Sequence, residues 1–268
     1  MAGGGTARGD GRPFDLPGGP DVALLLHGLT GTPFEIRPVA ERLHRQGVRC
    51  VAPAMAGHES PARLAATRWQ DWVEGARGVL LALPPARRTL VVGSSMGALV
   101  GCALAAEHPE RVDGLALLAP AMELTRAGRL GAWLAAHTPL ARVMPVVPKG
   151  SGSDVSDPEA RAANPCMDGV PLAAVGELAA LERHVDALLP RVRCPSLVVA
   201  GAKDHTVTLA GARHLVRRLA GGARLLVLPR SWHLVGVDVE RERCASEVLS
   251  FLESLPARGP TAPRANQR

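Results

Sequence analysis

Short, mostly apolar runs alternate with helix-patterned segments along most of this chain, and that alternation restricts its fold more than any other feature. Val22 to Leu26, Val48 to Ala52, Thr89 to Val92 and Val112 to Leu118 have the length and character of buried strands. Ser196 to Ala200 and Arg224 to Leu228 resume the pattern later in the chain. Between them lie helical patterns. Thr32-Pro33-Phe34-Glu35 reads as a helix start, with Thr32 as cap, Pro33 at the first helical position and Glu35 completing a capping box. Ile36, Val39, Ala40 and Leu43 follow at helical spacing, and Gly47 ends the run. Trp69, Trp72, Val73, Ala76, Leu80 and Leu83 mark a second helix, Ala98 to Glu107 a third, and Leu209 to Leu219 another. A last helix is expected from about Val239 to Leu252, capped by Asp238. Strands alternating with helices in this way specify an α/β fold whose mostly parallel central sheet is covered on both faces. Such sheets bind ligands at the carboxyl ends of their strands.

The alternation breaks once. From Met122 to Leu189 helical pieces are interrupted by Pro139, Pro145, Pro148 and the Gly150 to Ser153 stretch. Within this insertion (about 122–190) Leu172, Val175, Leu178, Leu181, Val185 and Leu188 form one amphipathic helix. An insertion leaving the sheet at its carboxyl edge would roof a site there. The 268 residues suffice for a single domain, expected over 21–255. Residues 1–20 and 256–268 are rich in Gly, Pro, Ala and Arg and are expected to be disordered tails.

Composition removes several function classes. Aromatic residues make up 3% of the chain and Tyr is absent, which argues against nucleic-acid or sugar-ring recognition. The formal charge is +6, but Arg258, Arg264 and Arg268 lie in the C-terminal tail, where no acid offsets them. No basic cluster is interleaved with aromatics, so no nucleic-acid partner is expected. The five cysteines (50, 102, 166, 194 and 244) lack metal-ligand spacing and read as reduced, buried thiols, with no metal site. The N-terminal residues contain no apolar signal run. Leu90 to Ala106 is uncharged but shorter than the roughly 20 apolar residues of a membrane span, and a Gly-Ser-Ser turn interrupts it. A cytoplasmic protein without stable membrane insertion is the expectation.

The chemistry is concentrated at strand ends. Gly93-Ser94-Ser95-Met96-Gly97 stands between the Thr89 to Val92 strand and the helix beginning at Ala98. A sharp strand-to-helix turn thrusts the Ser95 hydroxyl into a cleft, and glycines on either side leave room for it. Serine needs a base to take its proton. His233, in Ser231-Trp232-His233 after the Arg224 to Leu228 strand, is placed to serve. Asp204, in Gly201-Ala202-Lys203-Asp204 after the Ser196 to Ala200 strand, is placed to orient that base. His27-Gly28-Leu29-Thr30-Gly31 follows the first strand and offers a tight loop for an oxyanion hole, with the N–H groups of Leu29 and Met96 as donors. His27 is expected to hold this loop and His205 to support the one beside it.

At these motifs, and at Gly57-His58, the chain resembles the bacterial carboxylesterases and monoacylglycerol lipases of the α/β-hydrolase superfamily. The likeness runs from about Val22 to Leu255 and includes a helical cap of matching length; Glu59 departs from it, where the family often has glycine. The resemblance implies the α/β-hydrolase fold, Ser95, Asp204 and His233 as catalytic triad, Leu29 and Met96 as oxyanion donors, no cofactor, and a small apolar ester of short to medium acyl chain, or a monoacylglycerol, as substrate. In the cap, Leu172, Val175, Leu178 and Leu181 are the candidate acyl-pocket residues. The competing readings are an acyltransferase, a C–C hydrolase or a peptidase on the same fold, or a non-catalytic ligand-binding scaffold. The oligomeric state is left open.

Overall fold

The structure, a computed structural model, describes residues 9–137, 145–150 and 152–258. Its strands are β1 (Phe14–Leu16), β2 (Asp21–Leu26), β3 (Arg49–Ala52), β4 (Arg88–Ser94), β5 (Gly114–Leu118), β6 (Val146–Pro148), β7 (Gly169–Pro171), β8 (Ser196–Gly201) and β9 (Ala223–Leu228). Seven of these form one sheet in the order β1-β3-β2-β4-β5-β8-β9. All neighbours in it are parallel except β1, which runs antiparallel to β3. β6 and β7 make a separate antiparallel ribbon. The helices are α1 (Arg37–His44), α2 (Pro61–Ala66), α3 (Trp69–Ala82), α4 (Met96–Glu107), α5 (Arg126–His137), α6 (Pro158–Ala163), α7 (Leu172–Leu188), α8 (Leu209–Arg218) and α9 (Arg241–Ser254).

The apolar runs are continuous because the sheet is buried on both sides. Successive side chains of a strand point to opposite faces. Val22, Leu24 and Leu26 therefore join one apolar cluster, with residues of α3, α4 and α8, while Ala23 and Leu25 join another, with residues of α1 and α9. Val91 and the pair Leu90 and Val92 divide in the same way. The mostly parallel sheet covered by helices on both faces agrees with the sequence expectation. α4 is buried from Met96 to Ala106. A helix that is apolar all round must be enclosed, and α4 lies against the sheet with α3 and α7 packed on it.

Several boundaries differ from expectation. Part of the N-terminal segment is built into the fold: Phe14, Asp15 and Leu16 pair with Ala52, Val51 and Cys50. The arm also reaches the insertion, where the Gly9 N–H donates to Ala163 O at 2.7 Å. Main-chain pairing of this kind needs no apolar run, which is why composition alone reads the segment as a tail. At the other end, Arg258 is not left without a counter-charge, since its Nε donates to Asp113 Oδ1 at 2.7 Å. Residues 1–8 and 259–268, like Pro139, lie outside the described residues.

Two expected helix caps, Thr32 with Glu35 and Asp238, do not form. Thr32 makes no side-chain capping bond, Pro33–Ile36 is a 3-10 turn, and the Glu35 carboxylate turns into the protein instead of back to the helix terminus. Asp238 does not cap the last helix, which begins only at Arg241. Its carboxylate is fully buried and accepts hydrogen bonds from three separate stretches of chain. In each case N–H groups outside the helix, one from Gly28 for Glu35 and several for Asp238, take the carboxylate in place of the helix end.

Candidate active site

β4 delivers Ser95 to the site through a turn that few residues could make. Ser95 adopts φ 52°, ψ −111°, outside the ordinary regions for a residue with a side chain. The surroundings enforce it: Ser95 N–H donates to Leu118 O at 2.8 Å, and Ala121 N–H donates to Ser95 O at 3.2 Å. Gly93 and Gly97 are required by close approach. A Cβ on Gly93 would overlap the Gly97 carbonyl, and one on Gly97 would overlap the Leu26 carbonyl at the end of β2.

β8 and β9 bring the other two groups. Their following loops touch backbone to backbone at Gly201, where any side chain would collide with Trp232 O. Asp204 Oδ1 accepts the N–H groups of Thr206 and Val207, each at 2.8 Å. Its Oδ2 lies 2.8 Å from His233 Nδ1, and His233 Nε2 lies 3.0 Å from Ser95 Oγ. An ionised carboxylate only accepts, so Nδ1 carries the proton and Nε2 is free to receive one from Ser95. The structure thus brings together Ser95, His233 and Asp204, which are distant in sequence.

Burial disfavours charge on His233, but the charge and hydrogen bond of Asp204 outweigh it and hold the imidazole above its ordinary pKa; Asp154 and Glu35 add to the effect. For Asp204, burial likewise opposes ionisation. His233 and the amides of Val207 and Thr206 prevail and keep the carboxyl below its usual value.

Gly28 packs directly on Ser95, its Cβ position 3.3 Å from Ser95 Cβ. The loop that follows is a turn closed by Gly31 N–H donating to Gly28 O at 3.1 Å. His27 is buried beneath it. Met55 N–H donates to His27 Nε2 at 3.0 Å, so Nδ1 carries the hydrogen that reaches Gly28 O, also at 3.0 Å. Burial pushes the His27 pKa down to about 3, which keeps the ring neutral in this role. Glu35 Oε2 accepts the Gly28 N–H at 3.1 Å. Among the described residues no hydrogen bond uses the Leu29 N–H. Met96 is the first residue of α4, where the N–H has no partner within the helix.

The insertion is fastened to the loops that carry Asp204 and His233. Thr125 N–H donates to Thr206 O, and Thr208 N–H to Glu123 O, beside Asp204. Asp154 accepts from His205 and from the Thr206 hydroxyl, so His205 supports the acid loop. Asp238 Oδ1 accepts from Ser156, Asp157 and Val239, while its Oδ2 accepts the Trp232 N–H next to His233. Glu240 Oε2 accepts from Arg230 N–H, Ser231 N–H and the Ser231 hydroxyl. Glu35, Asp154, Asp238 and Glu240 were missed as site-building residues from sequence. The one available signal was an acidic residue beside an apolar or glycine-containing stretch, and that pattern does not distinguish a buried carboxylate from a surface one.

The proposed acyl-pocket residues are placed differently from the triad. Leu172, Leu178 and Leu181 are buried; Leu178 and Leu181, with Val175 partly buried beside them, belong to the cluster that α7 shares with α4 and α3. They are not among the residues that line the apolar cleft of about 430 Å³ found beside the β6–β7 ribbon, which include Pro61, Val146, Pro148, Cys166 and Met167. α4 is apolar on its outer side as well, and the α7 leucines cover it. The cysteines form no disulfide; Cys50, Cys102 and Cys244 are buried and Cys166 and Cys194 partly so.

The model of the family described as serine aminopeptidase, S33, matches residues 21–240, which spans β2 to β9, the Ser95 turn, the insertion and the loops of Asp204 and His233. The chain belongs to this family. Its relatives include the thermostable monoacylglycerol lipase of Bacillus sp. (strain H-257), 27% identical, with 89% of this chain and 93% of that protein covered. The carboxylesterase of Bacillus subtilis (strain 168) is 22% identical, with coverage of 91% and 97%. A solved structure from work on LipS and LipT, two metagenome-derived lipolytic enzymes, superposes with a TM-score of 0.83 at 25% identity, covering 92% of this chain and 99% of that one. The resemblance drawn from the sequence motifs is thereby borne out for this family member. No helix of the described residues is long and apolar enough to cross a membrane.

Proposed function

We propose that this protein hydrolyses carboxylic esters through an acyl-enzyme on Ser95. The observation that carries the proposal is the unbroken relay from Ser95 Oγ to His233 Nε2 at 3.0 Å and from His233 Nδ1 to Asp204 at 2.8 Å. Ser95 attacks the ester carbonyl as His233 takes its proton. The N–H groups of Leu29 and Met96 receive the oxyanion, an interaction whose loss costs about 2.7–4 kcal/mol per donor. His233 then gives the proton to the departing alcohol. Water, deprotonated by His233, attacks the acyl-enzyme, and His233 returns that proton to Ser95 Oγ as the acid leaves. Asp204 stays ionised throughout and fixes the imidazole tautomer.

The substrate we infer is an uncharged acyl ester of short to medium chain, or a monoacylglycerol; the relatives above are named monoacylglycerol lipase and carboxylesterase. Support for it comes from the apolar cleft: Met167 lines it, and its N–H donates to Thr30 O in the loop beside Ser95 at 2.9 Å. Hydrolysis of p-nitrophenyl esters and monoacylglycerols, graded by acyl length, tests this reading. Ser95→Ala is expected to remove turnover down to the residual level that binding and the oxyanion hole supply, a loss of about 10⁵–10⁶ in kcat. Undiminished turnover by Ser95→Ala, or faster turnover of charged or peptide substrates than of butyrate and caprylate esters, would exclude it.

A further inference from the structure

Thr30 stands at the tip of the turn that carries the Leu29 N–H, and its backbone conformation is costly. The turn runs from Gly28 to Gly31, so Thr30 is its third residue, with φ 62°. Turns with a positive φ at this place favour Gly or Asn, and a β-branched residue there costs on the order of 1–3 kcal/mol unless something holds it. What holds it comes largely from the insertion. Lys149, the residue after β6, donates from Nζ to Thr30 Oγ1 at 2.6 Å. Met167, just before β7, donates its N–H to Thr30 O at 2.9 Å. The Thr30 hydroxyl is then oriented to donate to Leu29 O, also at 2.6 Å. Lys149 is itself fixed to the ribbon, its N–H donating to Asp168 O at 2.9 Å. Below the turn, Glu35 accepts the Gly28 N–H, and its buried carboxylate feels the positive charge of Lys149. The turn is gripped between a cation from the cap and a carboxylate from the core.

We propose that Lys149 is a positioning residue: its ammonium holds Thr30 in the left-handed conformation and so aims the Leu29 N–H at the developing oxyanion. Docking of the β6–β7 ribbon and assembly of the oxyanion hole are one event. The inference rests on the acyl-enzyme reading above. It assigns to a cap residue a role in the chemical step, without contact with the ester.

The test is steady-state hydrolysis of p-nitrophenyl butyrate by wild type, Lys149→Met, Lys149→Arg, Thr30→Gly and the Thr30→Gly/Lys149→Met double variant, with thermal melts confirming that each is folded. An interaction felt mainly in the transition state lowers kcat and spares KM, so Lys149→Met is expected to lose about 10-fold or more in kcat with KM within about twofold. Lys149→Arg should regain most of the loss. Glycine accepts the positive φ without support, so in the Thr30→Gly background Lys149→Met should cost less than about threefold. If Lys149→Met does not fold, Lys149→Gln is judged by the same criteria. An unchanged kcat, a loss confined to KM, or an equal loss in both backgrounds overturns the proposal. Ser95→Ala assayed alongside keeps the two readings apart: an active Ser95→Ala or an inert wild type strikes the acyl-enzyme itself, whereas a poorly active Ser95→Ala beside an unaffected Lys149→Met strikes only the positioning role.

Discussion

To serve as the proposed base His233 has to be neutral, and its neighbours work against that. Burial disfavours the charged ring, yet Asp204 outweighs burial and raises the pKa above the ordinary 6.5. A base with a raised pKa stays protonated to higher pH, so kcat/KM is expected to fall with acidification through a midpoint above 6.5. Asp204→Asn removes the main stabiliser of the charged form. Its acid limb should move to lower pH, while kcat drops by about 10⁴ because the preferred tautomer is lost. A pH–rate profile of both proteins on one ester decides the matter; an unmoved limb would mean that another group sets it. The same residue-level logic explains the glycines. Gly93, Gly97 and Gly201 each stand where a neighbouring carbonyl occupies the space of a Cβ, so backbone packing between elements, more than turn conformation, dictates their identity.

At the scale of elements, α7 and the β6–β7 ribbon divide the work of the insertion. α7 spends its apolar face on α4: Leu181 is fully buried in the cluster formed with it. The start of α3 is tied to the same helix, since Trp69 N–H donates to Glu177 Oε2 at 3.1 Å. Leu181→Ala should therefore lower the unfolding free energy by about 2–5 kcal/mol, the range for emptying a leucine site in a packed core. The ratio of kcat/KM for butyrate and caprylate esters should stay as in wild type. Urea melts and acyl-chain profiling of the variant check both halves, and a changed chain-length preference would return α7 to the acyl pocket. The amphipathic spacing of α7 was plain in the sequence. Which surface it covers was not, because an apolar stripe packs equally well on a helix or around a fatty chain.

Across the whole molecule, the insertion and the sheet are joined by buried acids. Asp238 links the Ser156–Asp157 stretch of the insertion to the loop of His233, and Arg241 pairs with Asp157 at 2.7 Å alongside it. Burial opposes ionisation of Asp238, but its hydrogen bonds from Ser156, Trp232, Val239 and Asp157 prevail and lower its pKa. A depressed carboxylate contributes stability that is complete above the unfolded value of about 3.9 and is lost as pH falls through the folded value. The urea midpoint of the wild type should hold from pH 7 to about 5 and decline below about 4. Asp238→Asn should be less stable at pH 7 and should lose less of its midpoint over that acid interval. Equal acid slopes in the two proteins would assign the decline to other carboxylates.

The six parallel strands, the helices of the sheet and the residues of the relay were legible in the amino-acid order because their signals are local; β1, held by main-chain pairing, was not. Continuous apolar runs mark two-sided strands, and Ser95, Asp204 and His233 each follow such a run at the end where parallel sheets open. Charged and polar residues that build the site from within left no such mark. Whether Glu35 caps a helix or holds the Gly28 N–H, whether Asp238 begins a helix or ties two loops, and whether Lys149 faces water or the Thr30 hydroxyl depend on which unpaired donors and acceptors lie nearby once the chain is folded. Local sequence sets what a segment can bury. Only tertiary structure decides which distant polar group a buried charge will meet, because that choice is made by the cost of leaving either one unsatisfied.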